Sequence, residues 1–347
     1  MKISINGQKR EDICERKEPC VKTTAAEQNS FIFKKVLRRF LFPIYMFSII
    51  IGMVTKGSEK THMVSDLTAC LIVIGLGAVA VLILNRIMTV VSPPQEKTWL
   101  TEFQYAHRGL HDDAVPENSL PAFQSAVDAG FAIELDVQLS KDGQVMVFHD
   151  RDLERMTGVT GRLRDRTYRE LRNLRLKGTG QKIPTLAEAL TVVGGKVPLL
   201  IEIKNHGMAG ELERKLYRIL FDYEGKYAIQ SFSPFSVRWF RRNAPHIYRG
   251  QLACNFWKCN EFTVSRIKRF LIANLLFIVQ KLGVNFICKP NFISYELHKV
   301  NSRLIRRLRR KGAPIFAWTV RNHEQYDDAK QYTDSVIFEG FRPKDIR

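Results

Sequence analysis

The stretch Ile133-Glu134-Leu135-Asp136-Val137-Gln138-Leu139 decides the reading of this chain. Apolar and polar residues alternate along it, so as a strand it turns Glu134 and Asp136 to one face and Ile133, Leu135 and Val137 to the other. Taken alone, an acid-x-acid strand is a salt-bridged face toward solvent. Its surroundings argue for more. Short β-rich runs recur on both sides, at 105–109, 145–149, 199–203, 228–232, 248–253, 285–288, 315–320 and 335–338. Amphipathic helical patterns lie between most of them. One covers 120–129 after Asn118, a candidate cap, and another covers 185–193, where Thr185 and Glu188 form a capping box. Strands alternating with helices imply a parallel sheet with helices outside, and the 249 residues of 99–347 suit one (β/α)8 barrel. Nine strands are one too many. The turn 140–143 is too short for a parallel crossover, so one of the runs 133–139 and 145–149 is expected to be peripheral.

Polar residues gather at the ends of these strands. His107-Arg108-Gly109 ends the first run, His149-Asp150 the third, and Glu202-Ile203-Lys204 the fourth, with Gln230-Ser231 and Trp318-Thr319 on later ones. In a barrel such ends meet around one mouth, where active sites lie. A lone strand-end histidine is ordinarily a hydrogen-bonded structural residue. Three carboxylates on one rim, buried by Ile133, Leu135, Val137 and Ile201, would repel unless a cation neutralised them. All-oxygen ligands select a hard ion such as Mg2+ or Ca2+ over zinc. Two histidines supply a base and an acid, and Arg108 and Lys204 bring positive charge suited to phosphate.

An ordered set of motifs, His107-Arg108-Gly109, Pro116-Glu117-Asn118-Ser119, Ala122-Phe123, Gly130, Glu134-x-Asp136-Val137, Lys141-Asp142-Gly143, His149-Asp150, Glu202-x-Lys204, Gln230-Ser231-Phe232 and Trp318-Thr319-Val320, resembles the glycerophosphodiester phosphodiesterase signature. The resemblance spans roughly 99–347 and implies a TIM barrel with a small insertion, here 151–183. It implies metal ligands at Glu134, Asp136 and Glu202 and catalytic histidines at His107 and His149. It also implies substrate contacts: Arg108 and Lys204 at the phosphate, Trp318 as a wall of the head-group pocket, and Glu117 from a loop near the site that also holds Asn118. The expected reaction is metal-dependent hydrolysis of glycerophosphodiesters to glycerol phosphate and an alcohol. A lysophospholipase D-type reaction is the alternative within enzymes, and a non-catalytic membrane-bound binding module the alternative outside them. The chain departs from the family at the last strand. There Ile337-Phe338-Glu339-Gly340-Phe341-Arg342-Pro343 stands in place of the usual Ile-Thr-Asp before proline, and Arg321 stands where asparagine is common.

Ahead of the barrel the composition changes. The chain has 347 residues and a net charge of +19; its 45% apolar content excludes a disordered chain, and its 26% charged content excludes membrane spans throughout. Six scattered cysteines, without a C-x-x-C pair, fit neither a disulfide framework nor a zinc site. Residues 1–39, with ten Lys/Arg and five Asp/Glu, read as a disordered basic tail. Two apolar runs follow within 40–92, and the expected transmembrane helices cover about 40–55 and 67–91; a buried core helix is the alternative for each. The basic tail favours a cytoplasmic N-terminus, so a two-span hairpin returns the catalytic domain to the cytoplasmic side of a cell membrane. A cleaved signal peptide is not expected, because the first run begins only at residue 40. Between 236 and 311 stand 17 Lys/Arg against two acids, Glu261 and Glu296. The expected partner of this excess is an anionic lipid surface, with the apolar run 270–279 lying on it. No recognised motif accompanies the charge, so nucleic acid is not expected.

Overall fold

A computed structural model describes residues 63–95, 99–205, 209–254 and 282–345. It divides at Val81 and Leu82 into two units. The second holds nine strands: β1 (Tyr105–Ala106), β2 (Ala132–Leu139), β3 (Val145–Val147), β4 (Leu199–Ile203), β5 (Tyr227–Ser231), β6 (Tyr248–Ala253), β7 (Phe292–Glu296), β8 (Ile315–Val320) and β9 (Ser335–Phe338). Eight of them are parallel and run in the order β1-β2-β4-β5-β6-β7-β8-β9, and the pairing of β9 with β1 closes the barrel. The ninth, β3, pairs antiparallel with β2 outside the ring, so the peripheral strand is 145–147.

The pleat sorts side chains between two cores. Ile133, Leu135, Val137, Ile201, Ile229, Ile293 and Ala317 point outward beneath the helices. Tyr105, Ala132, Leu200, Ala228, Phe292, Phe316 and Ile337 fill the barrel interior. Gly250 of β6 makes room for this interior layer, since a Cβ there would lie 2.2 Å from the Phe292 ring. Along β2 the inward face passes from Ala132 to Glu134 and Asp136, so the interior is apolar at the strand starts and acidic at the strand ends.

The strand expected over 285–288 is instead the short helix Asn285–Cys288, and the strand lies further on at Phe292–Glu296. The run 285–288 holds a single β-branched residue, Ile287, and Lys289 turns left-handed at φ 44° directly before Pro290, which ends the helix. Strand pairing also stops after Ala106, because Arg108 (φ 58°) and Gly109 (φ 84°) turn the chain away. At Gly109 a side chain would meet the Ala122 backbone at 2.9 Å, so glycine is required. Ser119, not Asn118, caps the helix Leu120–Asp128, and its hydroxyl accepts from the Ala122 amide. The Thr185–Glu188 capping box forms as expected. Residues 151–183 fold into short helical turns over a small core of Met146, Phe148, Leu153, Met156, Leu163, Leu171, Leu176 and Ile183.

The two-span hairpin expected over 40–92 lies partly outside the described residues. Its first run, 40–55, lies outside the described residues, as does the apolar run 270–279. A helix, Met63–Met88, covers most of the second run, but several of its side chains, those of 63–70 among them, are outside the described set. Among the described residues no helix is long and apolar enough to cross a membrane.

Candidate active site

The barrel mouth carries a cavity of about 230 Å³ lined by His107, Arg108, Glu134, His149, Glu202, Lys204, Gln230, Phe232, Leu252, Trp318, Thr319, Arg321 and Ile337. Asp136 and Glu202 stand opposite each other in register on β2 and β4, and Glu134 lies one pleat below Asp136. All three carboxylates are buried, and an oxygen of each lies within 4.8 Å of the others. Burial, then the charges of Asp136 and Glu202, raise Glu134 well above the usual carboxylate range. Burial works the same way on Asp136, but His149, Lys204, Arg108 and a hydrogen bond from Asn118 outweigh it and hold its carboxyl low.

The fit to a cation rests on these oxygens. Asp136 Oδ2 accepts from Asn118 Nδ2 at 2.8 Å, whereas the buried Oδ1 accepts no hydrogen bond among the described residues. Its neighbour is the Lys204 ammonium at 3.5 Å, which also lies 2.7 Å from Glu202 Oε1. A closed set of three carboxylates with an uncommitted oxygen suits a hard divalent cation. Beneath it, Ser294 donates to Gln230 Oε1 at 2.7 Å, and Gln230 Nε2 donates to Glu134 Oε1 at 3.4 Å. The Arg108 amide donates to Glu134 Oε2.

Each histidine has its own carboxylate. His107 Nδ1 lies 2.7 Å from Glu339 Oε2, and His149 Nδ1 lies 2.7 Å from Asp150 Oδ1. Burial, then the neighbouring Arg108 charge, lower His107 to about 4 against the opposing pull of Glu339. The His107 hydrogen bond in turn lowers Glu339 to about 2. Glu339, which directly follows β9 and stands where aspartate is usual, is thus the residue that takes up the His107 ring.

Of the residues expected at the site, His107, His149, Glu134, Glu202, Arg108, Lys204 and Trp318 line the cavity, and Asp136 completes the carboxylate cluster. Glu117 is placed differently. Both its oxygens are taken by guanidinium groups, Oε1 by Arg108 Nη1 at 2.7 Å and Arg155 Nη2 at 2.6 Å, and Oε2 by Arg155 Nη1 at 2.9 Å. Burial opposes its charge, yet Arg155 and Arg108 hold it at about 2. Glu117 therefore fixes Arg108 from behind. Asn118, read as a cap, is itself left-handed at φ 54°, and its side-chain amide instead donates to Asp136. Trp318 stands edge-on to Phe232 at 5.7 Å, and its indole N–H is buried without an acceptor among the described residues. Sequence reading missed Ser294, because its strand was placed too early, and Arg155, because no local spacing marks a contact made across 38 residues.

Among known proteins, the model of the glycerophosphoryl diester phosphodiesterase family matches residues 107–338. The chain belongs to this family. A glycerophosphodiester phosphodiesterase of Caldanaerobacter subterraneus is 38% identical over 248 residues, covering 67% of this chain and 91% of that protein. Human glycerophosphodiester phosphodiesterase 1 is 27% identical over 265 residues, covering 67% of this chain and 77% of its own. Among solved structures, a Thermotoga maritima glycerophosphodiester phosphodiesterase superposes with a TM-score of 0.50 at 28% identity, covering 68% of this chain and 93% of that one. The fold is also shared, at a TM-score of 0.55 and 22% identity over 68% and 92% of the two chains, with an Oleispira antarctica phosphodiesterase solved with its product sn-glycerol-3-phosphate. As a member of the glycerophosphoryl diester phosphodiesterase family, the chain is a phosphoric diester hydrolase.

Proposed function

We propose that this chain hydrolyses glycerophosphodiesters to glycerol phosphate and an alcohol by acid–base catalysis between His107 and His149. The observation that carries the reading is the shared cavity, in which two histidines, each against its own carboxylate, face the buried carboxylate cluster and two cationic side chains. Glu134, Asp136 and Glu202 would hold a divalent cation, Mg2+ or Ca2+, which when bound supplies Lewis-acid neutralisation of phosphate charge.

Arg108 and Lys204 bind the non-bridging phosphate oxygens, and Arg108 reaches them from a guanidinium anchored by Glu117. His107 is the base. Its Nδ1–H donates to Glu339, so the neutral ring keeps its lone pair on Nε2 and accepts the proton of the attacking oxygen, from water or the adjacent glycerol hydroxyl. His149, steadied by Asp150, donates a proton to the leaving alcohol oxygen as its bond to phosphorus breaks. Each proton transfer is worth on the order of 10²–10⁴ in rate. Trp318 and Phe232 wall the side where the head group sits.

The proposal includes attachment to a cell membrane through two spans, about 40–55 and 67–91, with the catalytic domain facing the cytoplasm. Supporting it are the uncharged run 67–84 and the exposure of Leu71, Ile72, Leu76 and Leu82, each more than half accessible. The helix Arg303–Arg310 adds an anionic-surface contact: it buries Ile305 and Leu308 and exposes Arg303, Arg306 and Arg310. Near an anionic leaflet each such residue contributes about 1 kcal/mol. The apolar side chains of Phe232, Leu252 and Ile337 at the cavity also suit a lysophospholipid as a second substrate class.

A panel of soluble glycerophosphodiesters and lysophospholipids with Mg2+ or Ca2+ tests the substrate reading. Release of glycerol phosphate from the soluble diesters is expected, and turnover confined to lysophospholipids would move the assignment to a lysophospholipase D-type reaction. Flotation of the 99–347 fragment, which lacks the two spans, with phosphatidylserine and with neutral vesicles tests the surface contact, which predicts salt-sensitive binding to the anionic ones alone.

A further inference from the structure

We propose that Arg155 is a positioning residue that ties the insertion 151–183 to the catalytic centre by holding Glu117 and Asp150 together, and through them Arg108 and His149. The inference rests on the reaction proposed above. Arg155 sits on the short helix Glu154–Thr157, at the start of the insertion. Its neighbours Leu153 and Met156 are buried in the insertion's own core, which sets where the guanidinium points. All three guanidinium nitrogens are engaged. Nε donates to Asp150 Oδ2, Nη1 to Glu117 Oε2 at 2.9 Å, and Nη2 to Glu117 Oε1 at 2.6 Å. Beyond these carboxylates, Asp150 Oδ1 meets His149 Nδ1 at 2.7 Å, and Glu117 Oε1 accepts from Arg108 Nη1 at 2.7 Å. One hydrogen-bonded chain therefore runs His149–Asp150–Arg155–Glu117–Arg108.

The chain sets both ends. Arg155 takes Glu117 with two nitrogens and fills Oε2, so Arg108 is limited to a single contact at Oε1, with Nε held 3.6 Å from Asp136 Oδ2. Without Arg155 the vacated Oε2 invites Arg108 into a paired contact with Glu117 that draws it off the phosphate. Asp150 at the same time loses the partner that fixes it against His149. Lysine has one ammonium in place of the fork and cannot span both carboxylates. The Arg155 side chain is 46% exposed, so a small cation can reach the gap that its removal leaves.

The test measures kcat and KM for wild type, Arg155→Ala, Arg155→Lys and Arg162→Ala, with melting temperatures and with added guanidinium at sub-denaturing concentration. Arg162→Ala is the control, removing an exposed arginine of the same insertion that pairs loosely with Asp152 at 4.0 Å. Arg155→Ala and Arg155→Lys are expected to lose about 10²-fold in kcat/KM, with kcat falling and KM rising. Guanidinium restores Arg155→Ala in part, and Arg162→Ala stays at the wild-type level. Wild-type kcat/KM in Arg155→Ala overturns the proposal. So does a loss that guanidinium leaves untouched and that follows a fall in melting temperature, the mark of a mere brace. The ring 15N signals of His149 provide a readout independent of turnover: they shift in Arg155→Ala and return with guanidinium if the proposal holds, and stay unchanged if it fails. Absence of glycerophosphodiester turnover in wild type counts against the reaction, and the His149 signals still decide the role of Arg155.

Discussion

His107 and Glu339, 232 residues apart in sequence, meet at 2.7 Å across the seam where β9 closes the barrel against β1. The contact fixes the proton of the neutral ring on Nδ1. Burial and Arg108 keep the ring neutral, with a pKa lowered from 6.5 to about 4. Because the folded value lies below the unfolded one, the stability that neutral His107 contributes is full above about 6.5 and is lost as pH falls toward about 4. Ring 15N NMR of the metal-free protein is expected to show the Nδ1–H tautomer and a midpoint far below 6.5. Glu339→Gln removes a carboxylate that favours the charged ring, so its midpoint moves lower still. A wild-type midpoint at or above 6.5 contradicts this account.

Asp136→Asn and Glu202→Gln each remove a charge from the buried cluster. Each change relieves repulsion on Glu134 but also removes a counter-charge of Lys204, so the melting temperature of each metal-free variant is the baseline for its own metal response. The rise in melting temperature on adding Mg2+ or Ca2+, worth about 2.7 kcal/mol at a hundredfold excess over Kd, is expected to vanish in both. A variant that keeps the full metal-induced rise contradicts the assignment of its residue as a ligand.

Glu117→Gln takes from the buried Arg108 guanidinium the carboxylate that it hydrogen-bonds at 2.7 Å, leaving Asp136 at 3.6 Å as its nearest charged partner. Only 8% of the Glu117 side chain and 15% of the Arg108 side chain are exposed, so the loss falls in the range of broken buried pairs, about 3–5 kcal/mol. Urea unfolding measures it, and a loss below 1 kcal/mol would place the pair in the weak class of surface salt bridges.

Gly250→Ala pushes a methyl group into the Phe292 ring, with overpacking expected to cost about 1–3 kcal/mol. Phe292→Leu on that background is expected to recover part of the loss. Unchanged stability in Gly250→Ala would mean that the interior layer is not filled as described.

The sequence carried the barrel because the alternation along β2, the short apolar runs of the other strands and the capped helices between them are local patterns. It carried the site because His107 and Lys204 lie just past the ends of β1 and β4 and because Glu134, Asp136 and Glu202 share the inward face of adjacent parallel strands, with His149 just past β3. It failed where contact is long-range or a turn intervenes. Asn285–Cys288 looked β-rich, and only Lys289 and Pro290 shift the strand to Phe292. Asn118 looked like a cap, because nothing local reveals that its amide reaches Asp136. Glu117 looked like a substrate ligand, because the Arg155 that claims it comes from the insertion.

The most direct measurement follows release of glycerol phosphate from sn-glycero-3-phosphocholine by the purified chain with Mg2+ or Ca2+, beside His107→Ala, His149→Ala and Asp136→Asn. Metal-dependent turnover is expected in wild type, abolished by chelator and reduced by at least about 10²-fold in each variant. Wild-type turnover that survives chelation, or that persists undiminished in Asp136→Asn or either histidine variant, would contradict this mechanism.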